Sequence, residues 1–466
     1  PAKWTSSVGL FGKLLYEDIY PGIDVLFYGK ENSLKYDFIV AANANPDHIQ
    51  LEYEGLEGIR LSPEGDLIFP TAIGEFKEMH PFAFQEIDGQ GIEVNCKFVL
   101  KGNRVRFEFP QGYDHHHPLI IDPVWVFGSF TGSIADNFGF TATFDTLGNL
   151  YGGGIVYGPG YPTSIGAFQT TFGGGVPTSN TNGFDISISK FNTTGSALIW
   201  STYIGGSGDE QPHSLIATDA GELVVYGRSN SPNYPTTAGA VQTGLSGSSN
   251  DIIVTKLNVG ATALIGSTYY GGSGDDGLNT TTGLVQTGLY NNYGDDARGE
   301  VMLDSVNNIY IASCTRSTNF PVTPGCAQPV RGGGQQDGCV FKLNPNLTSV
   351  IWSTYLGGSQ DDAAYGIKVD PAGNIFVAGG TQSSNFPTTP GTIKLTNPSG
   401  IDGFITKINP AGSAFLASTY IGTGAYDQCY FLELDDAQNV YVVGQTKGAF
   451  PVSPGVYSNA GAKQFI

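Results

Sequence analysis

The chain has 466 residues, of which 14% are charged and 66 are glycine, with 42 acidic against 22 basic side chains for a formal charge of −20. That balance repels nucleic acid and anionic membranes and excludes DNA or RNA as default partners. Apolar residues reach 40% and aromatics 12%, enough to bury a core, and no apolar run is long enough to cross a bilayer as a helix.

Residues 1–123 read as a small all-β domain. Leu34, Tyr36, Phe38 and Val40 share one parity, as do Val94, Cys96, Phe98 and Leu100, and Val105, Phe107 and Phe109. A period of two with one wet face predicts half-buried antiparallel strands in a sandwich-like domain. Pro63-Glu64-Gly65-Asp66 and Lys101-Gly102-Asn103 supply turns between them. Asp114 and the run His115, His116 and His117 close the domain. Consecutive residues of an extended chain point in opposite directions, so three adjacent imidazoles do not readily share one tetrahedral metal, and the run reads as a solvated boundary loop.

Residues 124–466 are one unit repeated. Trp200-Ser201-Thr202-Tyr203-Ile204-Gly205-Gly206-Ser207 returns at Gly266–Ser273, at Trp352–Ser359 and, more weakly, at Ala417–Gly422, with Ser-Thr-Tyr spacings of 66, 86 and 65. Asp185, Asp251, Asp337 and Asp402 each stand five residues before Lys190, Lys256, Lys342 and Lys407 in the same phase. The longer second interval is an insertion around Gly274–Asp296. Within one unit, Gly366–Asp370 reads as a first strand, Asn374–Thr381 as a second, Asp402–Asn409 as a third and Phe415–Ile421 as a fourth. Asp370-Pro371-Ala372-Gly373 is the tight turn between the first two. Four short antiparallel strands per unit predict a β-propeller of at least five units, with Val124–Phe130 closing the ring against Gln464–Ile466 in a composite blade.

The acids after each Gly-Gly-Ser are the main chemical signal: Asp209 and Glu210, Asp275 and Asp276, Asp361 and Asp362. Carboxylates gathered at one mouth of a propeller channel suit Ca2+, which takes six to eight oxygens; the competing reading is that each Asp caps its own turn. Cys314 and Cys339 fall on neighbouring strands and carry either one disulfide or two buried thiols. The Asp and Lys of the third strand are odd-spaced, so they face opposite sides and do not pair with each other. His213 stands alone in the repeat region, and no P-loop, zincin or G-x-S-x-G motif occurs.

The repeats resemble the SBBP β-propeller repeat at Ser353–Ser359, Asp370–Asn374, Phe386–Gly391 and Asp402–Lys407, with the resemblance spanning residues 124–466. Gly22–Gly29, Leu34–Phe38 and Pro118–Pro123 resemble the β-rich domain that often precedes such repeats. The resemblance implies a secreted or outer-surface protein of a Gram-negative bacterium, of the Bacteroidota type, often exported by type IX secretion. It implies no agreed catalytic activity. The expected function is a non-catalytic binding or scaffold module making protein or glycan contacts at the cell surface in adhesion or surface assembly. The alternatives are a polysaccharide-active enzyme using channel-mouth carboxylates and a structural spacer within a larger adhesin. The only cofactor expected is Ca2+.

Overall fold

The computed structural model describes residues 13–466 apart from 31–32, 53–57, 64, 72–73, 79, 88–89, 123–130, 176–182, 194, 196, 248, 280–287, 290–294, 398–399 and 454–462. The chain divides into two compact units, Pro1–Gly128 and Ser129–Ile466. The segment expected to close a composite blade, Val124–Phe130, spans that division and lies outside the described residues.

The first unit holds β1 (Lys13–Tyr20), β2 (Ile23–Lys30), β3 (Ser33–Val40), β4 (Leu51–Glu52), β5 (Arg60–Leu61), β6 (Leu67–Thr71), β7 (Gly74–Glu78), β8 (Phe82–Ile87), β9 (Gln90–Val94), β10 (Lys97–Lys101), β11 (Arg104–Glu108) and β12 (Leu119–Asp122). They form a six-stranded sheet in the order β1-β2-β3-β12-β8-β9 and two three-stranded sheets, β10-β11-β4 and β5-β6-β7. Alternate residues of the facing sheets, among them Val25, Phe38, Phe98, Val105, Phe107 and Ile121, make one core. The His run is tied down: Asp114 accepts from the His116 N–H and bonds the His117 imidazole, while the buried Gln85 amide bonds the backbone of Asp114 and His117.

The second unit is built of four-stranded antiparallel sheets. Blade 1 comprises β13 (Asn137–Phe144), β14 (Leu150–Val156), β15 (Asp185–Phe191) and β16 (Leu198–Ile204). Blade 2 comprises β17 (Glu210–Ala217), β18 (Leu223–Ser229), β19 (Asp251–Leu257) and β20 (Leu264–Tyr270). Blade 3 comprises β21 (Glu300–Leu303), β22 (Ile309–Thr315), β23 (Asp337–Leu343) and β24 (Val350–Leu356). Blade 4 comprises β25 (Asp362–Val369), β26 (Ile375–Thr381), β27 (Asp402–Ile408) and β28 (Phe415–Ile421). A fifth sheet has three described strands, β29 (Asp427–Leu434), β30 (Val440–Thr446) and β31 (Gln464–Phe465). The first strands pack in the order β13, β17, β21, β25, β29, and the described residues do not close the series into a ring.

The first strand of blade 4 starts earlier than its alternation suggests. β25 begins at Asp362 rather than Gly366, because a β-bulge shifts the register between Ala364 and Gly366 and breaks the period of two. The same bulge recurs between Gly139 and Thr141, Pro212 and Ser214, and Cys429 and Phe431. In blade 3 the acid at the equivalent place, Asp276, bridges to Thr315, and the insertion leaves from this point and returns before β21.

The repeated tyrosine is a loop anchor. The Tyr355 hydroxyl accepts from the Phe320 N–H (3.0 Å) and donates to the Ser317 carbonyl (2.9 Å); Tyr269 and Tyr420 do the same for Tyr234 and Ser231, and for Phe386 and Ser383. Each thereby fixes the long loop between the second and third strands of its own blade. Tyr355→Phe strands a buried N–H and a buried carbonyl, and is expected to cost about 1–3 kcal/mol in denaturant unfolding. An unchanged midpoint would show the hydroxyl idle.

Cys314 and Cys339 form no disulfide. In the β22/β23 register Cys314 lies opposite Gly338 and Cys339 opposite Ser313, so the two thiols point to opposite faces of the sheet. They enter different core clusters, and all five cysteines are free. Burial pushes the Cys314 thiol up to about 12, which removes the reactive thiolate. A thiol reagent is expected to leave Cys314, Cys339 and Cys429 unmodified in the native protein and to titrate all five cysteines after unfolding without reductant. A shortfall of two would reinstate a bond.

Candidate functional site

The two acids of each Gly-Gly-Ser loop have different roles. The first is part-exposed and caps backbone: Asp209 accepts from the Phe184 N–H, Asp275 from Asn250 and Asp361 from Gln335. The second is fully buried at the blade junction; Glu210 and Asp362 open β17 and β25. Glu210, Asp276 and Asp362 each accept from the N–H of the second glycine, Gly206, Gly272 or Gly358. They also accept hydroxyls from their own blade: Ser229 and Ser231, Thr315 and Ser317, and Ser383.

Across the first glycine stands the third-strand aspartate of the preceding blade. An ideal Cβ on Gly205 would lie 2.6 Å from Asp185 Oδ1 and 2.7 Å from Glu210 Oε2. On Gly271 it would meet Asp251 and Asp276, and on Gly357 it would meet Asp337 and Asp362, all within 2.9 Å. The Gly-Gly of the repeat is therefore a packing requirement: only a hydrogen fits between two carboxyls. The second glycine packs equally closely against Ser231, Ser317 or Ser383.

Each junction thus holds two buried carboxyls, one from each blade. Burial, and then in Asp185, Asp251 and Asp362 the facing acid, lifts them far above the ordinary carboxyl range: Asp185 to about 8, Glu210 to about 7, Asp251 to about 7, Asp276 to about 6, Asp337 to about 7 and Asp362 to about 8. Asp185, Asp251, Asp337 and Asp362 each keep one buried oxygen, Oδ1, without a protein partner. The other oxygen of Asp185, Asp251 and Asp337 is taken by the backbone N–H of Gly173, Ser246 or Gly332.

The fourth junction, between Asp402 and Asp427, is built differently. Lys394 stands where Gln169, Gln242 and Gln328 stand in the other blades. Its ammonium pairs with Asp402 and bonds the carbonyls of Gly422 (3.2 Å) and Thr423 (3.0 Å). One junction carries its own cation; the other three carry an uncharged glutamine at that place.

The donor set does not fit Ca2+. Each junction offers two carboxyls whose other oxygens already bind N–H or O–H groups, and the first acid of each pair bonds elsewhere. Among the described residues no group of three or more His, Cys, Asp or Glu side chains is placed to hold a metal.

At its opposite end each third strand is tied by its lysine. Lys190 meets Asp145 at 2.9 Å, Lys342 meets Asp304 at 3.1 Å and Lys407 meets Asp370 at 3.4 Å; each acid sits in the hairpin turn of the same blade. In blade 2 Glu222 takes that place beside Lys256.

A cavity of about 580 Å3 is walled by residues of β13, β17, β21, β25 and β29 and by the return of the insertion. The bulge residues of the four first strands that carry one, Phe140, His213, Tyr365 and Tyr430, line it. The His213 ring lies edge-on to Tyr226 with centroids 5.3 Å apart. Burial, helped by Arg228, drives its pKa down to about 3, so the imidazole is neutral, and Nε2 has no hydrogen-bond partner. The charged groups of the wall are paired. Arg298 Nε bonds Asp295 at 2.7 Å while its guanidinium lies over the Tyr430 ring at 4.1 Å. Lys368 Nζ lies 3.0 Å from both Glu300 and Glu433.

None of these cavity residues follows from a repeat marker. They stand where the units differ: at the Lys368 position the other blades carry Thr143, Ile216, Met302 and Glu433. Departure from the repeat on the first strand is the signal that finds them.

Two family descriptions match the chain: a domain of unknown function (DUF7948) over residues 1–124, and the SBBP β-propeller repeat over residues 351–387. Among curated proteins none matches. Similar solved structures include a protein of unknown function from Dyadobacter fermentans DSM 18053, 8% identical over 90% of this chain and 96% of its own, with a TM-score of 0.33. The NanB sialidase from Streptococcus pneumoniae is 10% identical over 91% of this chain and 75% of its own (TM-score 0.36), and a PL25 ulvan lyase 10% identical over 96% and 90% (TM-score 0.36). At such scores no residue role and no activity passes from these proteins to this chain.

Proposed function

We propose, for a chain that carries an SBBP β-propeller repeat behind a DUF7948 domain, a non-catalytic role as a secreted or outer-surface binding module making protein or glycan contacts. The observation that carries this reading is the axial cavity. It is walled by all five described first strands, is lined by aromatic rings, and each charged group of its wall has a charged partner. Such a surface offers hydrogen bonds and aromatic faces to a ligand without a free nucleophile or an unpaired acid. The junction carboxyls serve the scaffold, and the anchored loops keep the blade surfaces rigid. Among the described residues no helix is long and apolar enough to cross a membrane. Placement outside the cell rests on the repeat resemblance.

A polysaccharide-active enzyme is the second reading, favoured by one observation. Glu300 and Glu433 both touch Lys368 Nζ at 3.0 Å, which brings a second carboxylate beside Glu300 of the cavity wall. The test is paired. The purified full chain is screened on glycan and surface-protein arrays, and the same polysaccharides are assayed for new reducing ends or unsaturated products. Retention without product supports the module. Product formation abolished by Glu300→Gln would replace it with the enzyme.

A further inference from the structure

In blades 1, 3 and 4 the third strand does two things for the second. It pairs with all seven of its residues, and it sets a lysine opposite an aromatic ring. Lys190, Lys342 and Lys407 lie 4.6, 4.5 and 4.6 Å over the rings of Tyr151, Tyr310 and Phe376, and each also meets the turn acid of its blade. An ammonium so placed is held by a carboxylate and by the ring quadrupole at once. The strand around it keeps one pattern in blades 1 to 4: Ile188-Ser189-Lys190-Phe191, Val254-Thr255-Lys256-Leu257, Val340-Phe341-Lys342-Leu343 and Ile405-Thr406-Lys407-Ile408. An apolar residue stands two places before the lysine and another directly after it.

Blade 5 has the receiving half of this arrangement. Its turn acid is Asp435 and its ring is Tyr441, whose hydroxyl bonds Asp435 Oδ2 at 3.1 Å, as Tyr151 bonds Asp145 and Tyr310 bonds Asp304. β31 pairs with β30 at Gly444 and Gln445. Among the described residues, Val440, Tyr441, Val442 and Val443 have strand partners on the β29 side alone. Tyr441 is therefore 36% exposed, against 0% for Tyr151, 2% for Tyr310 and 5% for Phe376. Val440 is also 36% exposed, against 0% for Ile309 and Ile375. An apolar edge without proline or charge is a ready template for another strand.

The repeat defines what fits this edge. By the register of β26 on β27, an antiparallel strand would set an apolar residue opposite Val443, a lysine opposite Tyr441 and a second apolar residue opposite Val440. The formal charge of −20 favours a basic partner. A folded second copy is a poor donor, because its lysine strands β15, β19, β23 and β27 are paired on both sides within their own blades.

We propose that the edge of β30 is a docking site for an extended, lysine-bearing strand of another protein, laid antiparallel on Val440–Val443. The lysine ammonium bonds Asp435 and covers the Tyr441 ring. This site does not depend on what the axial cavity binds.

The experiment uses the 466-residue chain and, as probe, a peptide of residues 405–410 (Ile-Thr-Lys-Ile-Asn-Pro) capped at both ends. Calorimetry reads binding, and hydrogen exchange reads the β30 amides. One-to-one binding with slowed exchange at Val440–Val443 is expected. Lys407→Met in the peptide leaves the protein untouched and is expected to weaken binding about tenfold, through loss of the ion pair and the ring contact. Asp435→Asn in the protein is expected to weaken the lysine peptide several-fold and the methionine peptide little. No binding at millimolar peptide, or protection that appears elsewhere while β30 is unchanged, would overturn the site. Equal binding of the two peptides would overturn the lysine contact. Self-association of the chain alone, abolished by Asp435→Asn, would replace the outside partner with a second copy.

Discussion

Lowering the pH from 8.5 to 5.5 is expected to raise the melting midpoint of the propeller unit by about 5 °C or more, at constant ionic strength. The cause is the set of junction carboxyls. Seven of them, from Asp185 to Asp402, have native pKa values lifted to between about 6 and about 8, whereas the unfolded chain returns them to about 4. Between those limits the native state binds more protons than the unfolded state, so stability falls as pH rises. The contribution is complete below about pH 4 and is lost as pH climbs through 6 to 8. Even about 1 kcal/mol from each of two junctions moves the midpoint of a large domain by several degrees. The turn acids act with the opposite sign. Asp145, Asp304 and Asp370 are held below the ordinary range by their Asn and Lys partners, despite burial, and their contribution is lost only as pH falls below about 4. The optimum therefore sits on the acid side of neutrality.

Net charge offers a rival cause, since a formal charge of −20 also relaxes on acidification. Salt separates the two. Surface repulsion is screened at 0.5 M salt, while a carboxyl pair buried between blades is not. Asp362→Asn adds a second discrimination. The amide oxygen keeps the bonds from Gly358 and Ser383, and one buried charge is gone. The variant is expected to melt above the parent at pH 8.5, to match it near pH 5.5, and so to show a shallower slope. A parent midpoint that is flat or rises with pH, or a slope abolished by salt, would sink the account.

The repeat made the architecture legible because its markers are local. Ser-Thr-Tyr-Leu-Gly-Gly-Ser, the Asp-x-x-Gly-Asn turn and the Asp/Lys spacing each fall inside one or two strands. Their phase alone places four strands in each unit. The opposite faces of Asp402 and Lys407 were readable from an odd spacing, but their partners were not. Lys407 reaches a turn acid 37 positions back, and Asp402 faces an acid of the next blade. Asp362 looks like a capping residue and Asp337 like a strand marker until the blades are stacked, because a junction is a contact between repeats. The bulges were hidden for a related reason: one extra residue erases the alternation used to find a strand, and the first strand reads as starting at Gly366 instead of Asp362. The cavity was hardest to see. Its residues occupy first-strand positions where the units disagree, and a search for similarity passes over them.

Gly357→Ala tests the junction by geometry rather than by titration. The new methyl would lie 2.7 Å from the Asp337 carboxyl carbon, 2.8 Å from Asp362 Oδ2 and 2.9 Å from Asp337 Oδ2. Neither carboxyl can retreat freely, since Asp362 is held by Gly358 and Ser383 and Asp337 by Gly332. The substitution is expected to cost about 2–4 kcal/mol, the upper range for overpacking, because the displaced groups are polar, buried and already bonded. Gly391→Ala is the matched control. Gly391 has a φ of +86° with open space where a Cβ would stand, so only backbone strain applies, about 1 kcal/mol. Steric conflict with the carboxyls also predicts a coupling. Asp337→Ala empties the space the methyl needs, so it should cost less in the Gly357→Ala background than in the parent, by about 1 kcal/mol or more. If the two losses simply add, or if Gly357→Ala is no worse than Gly391→Ala, the glycine is not wedged between the acids, and the repeat retains it for another reason.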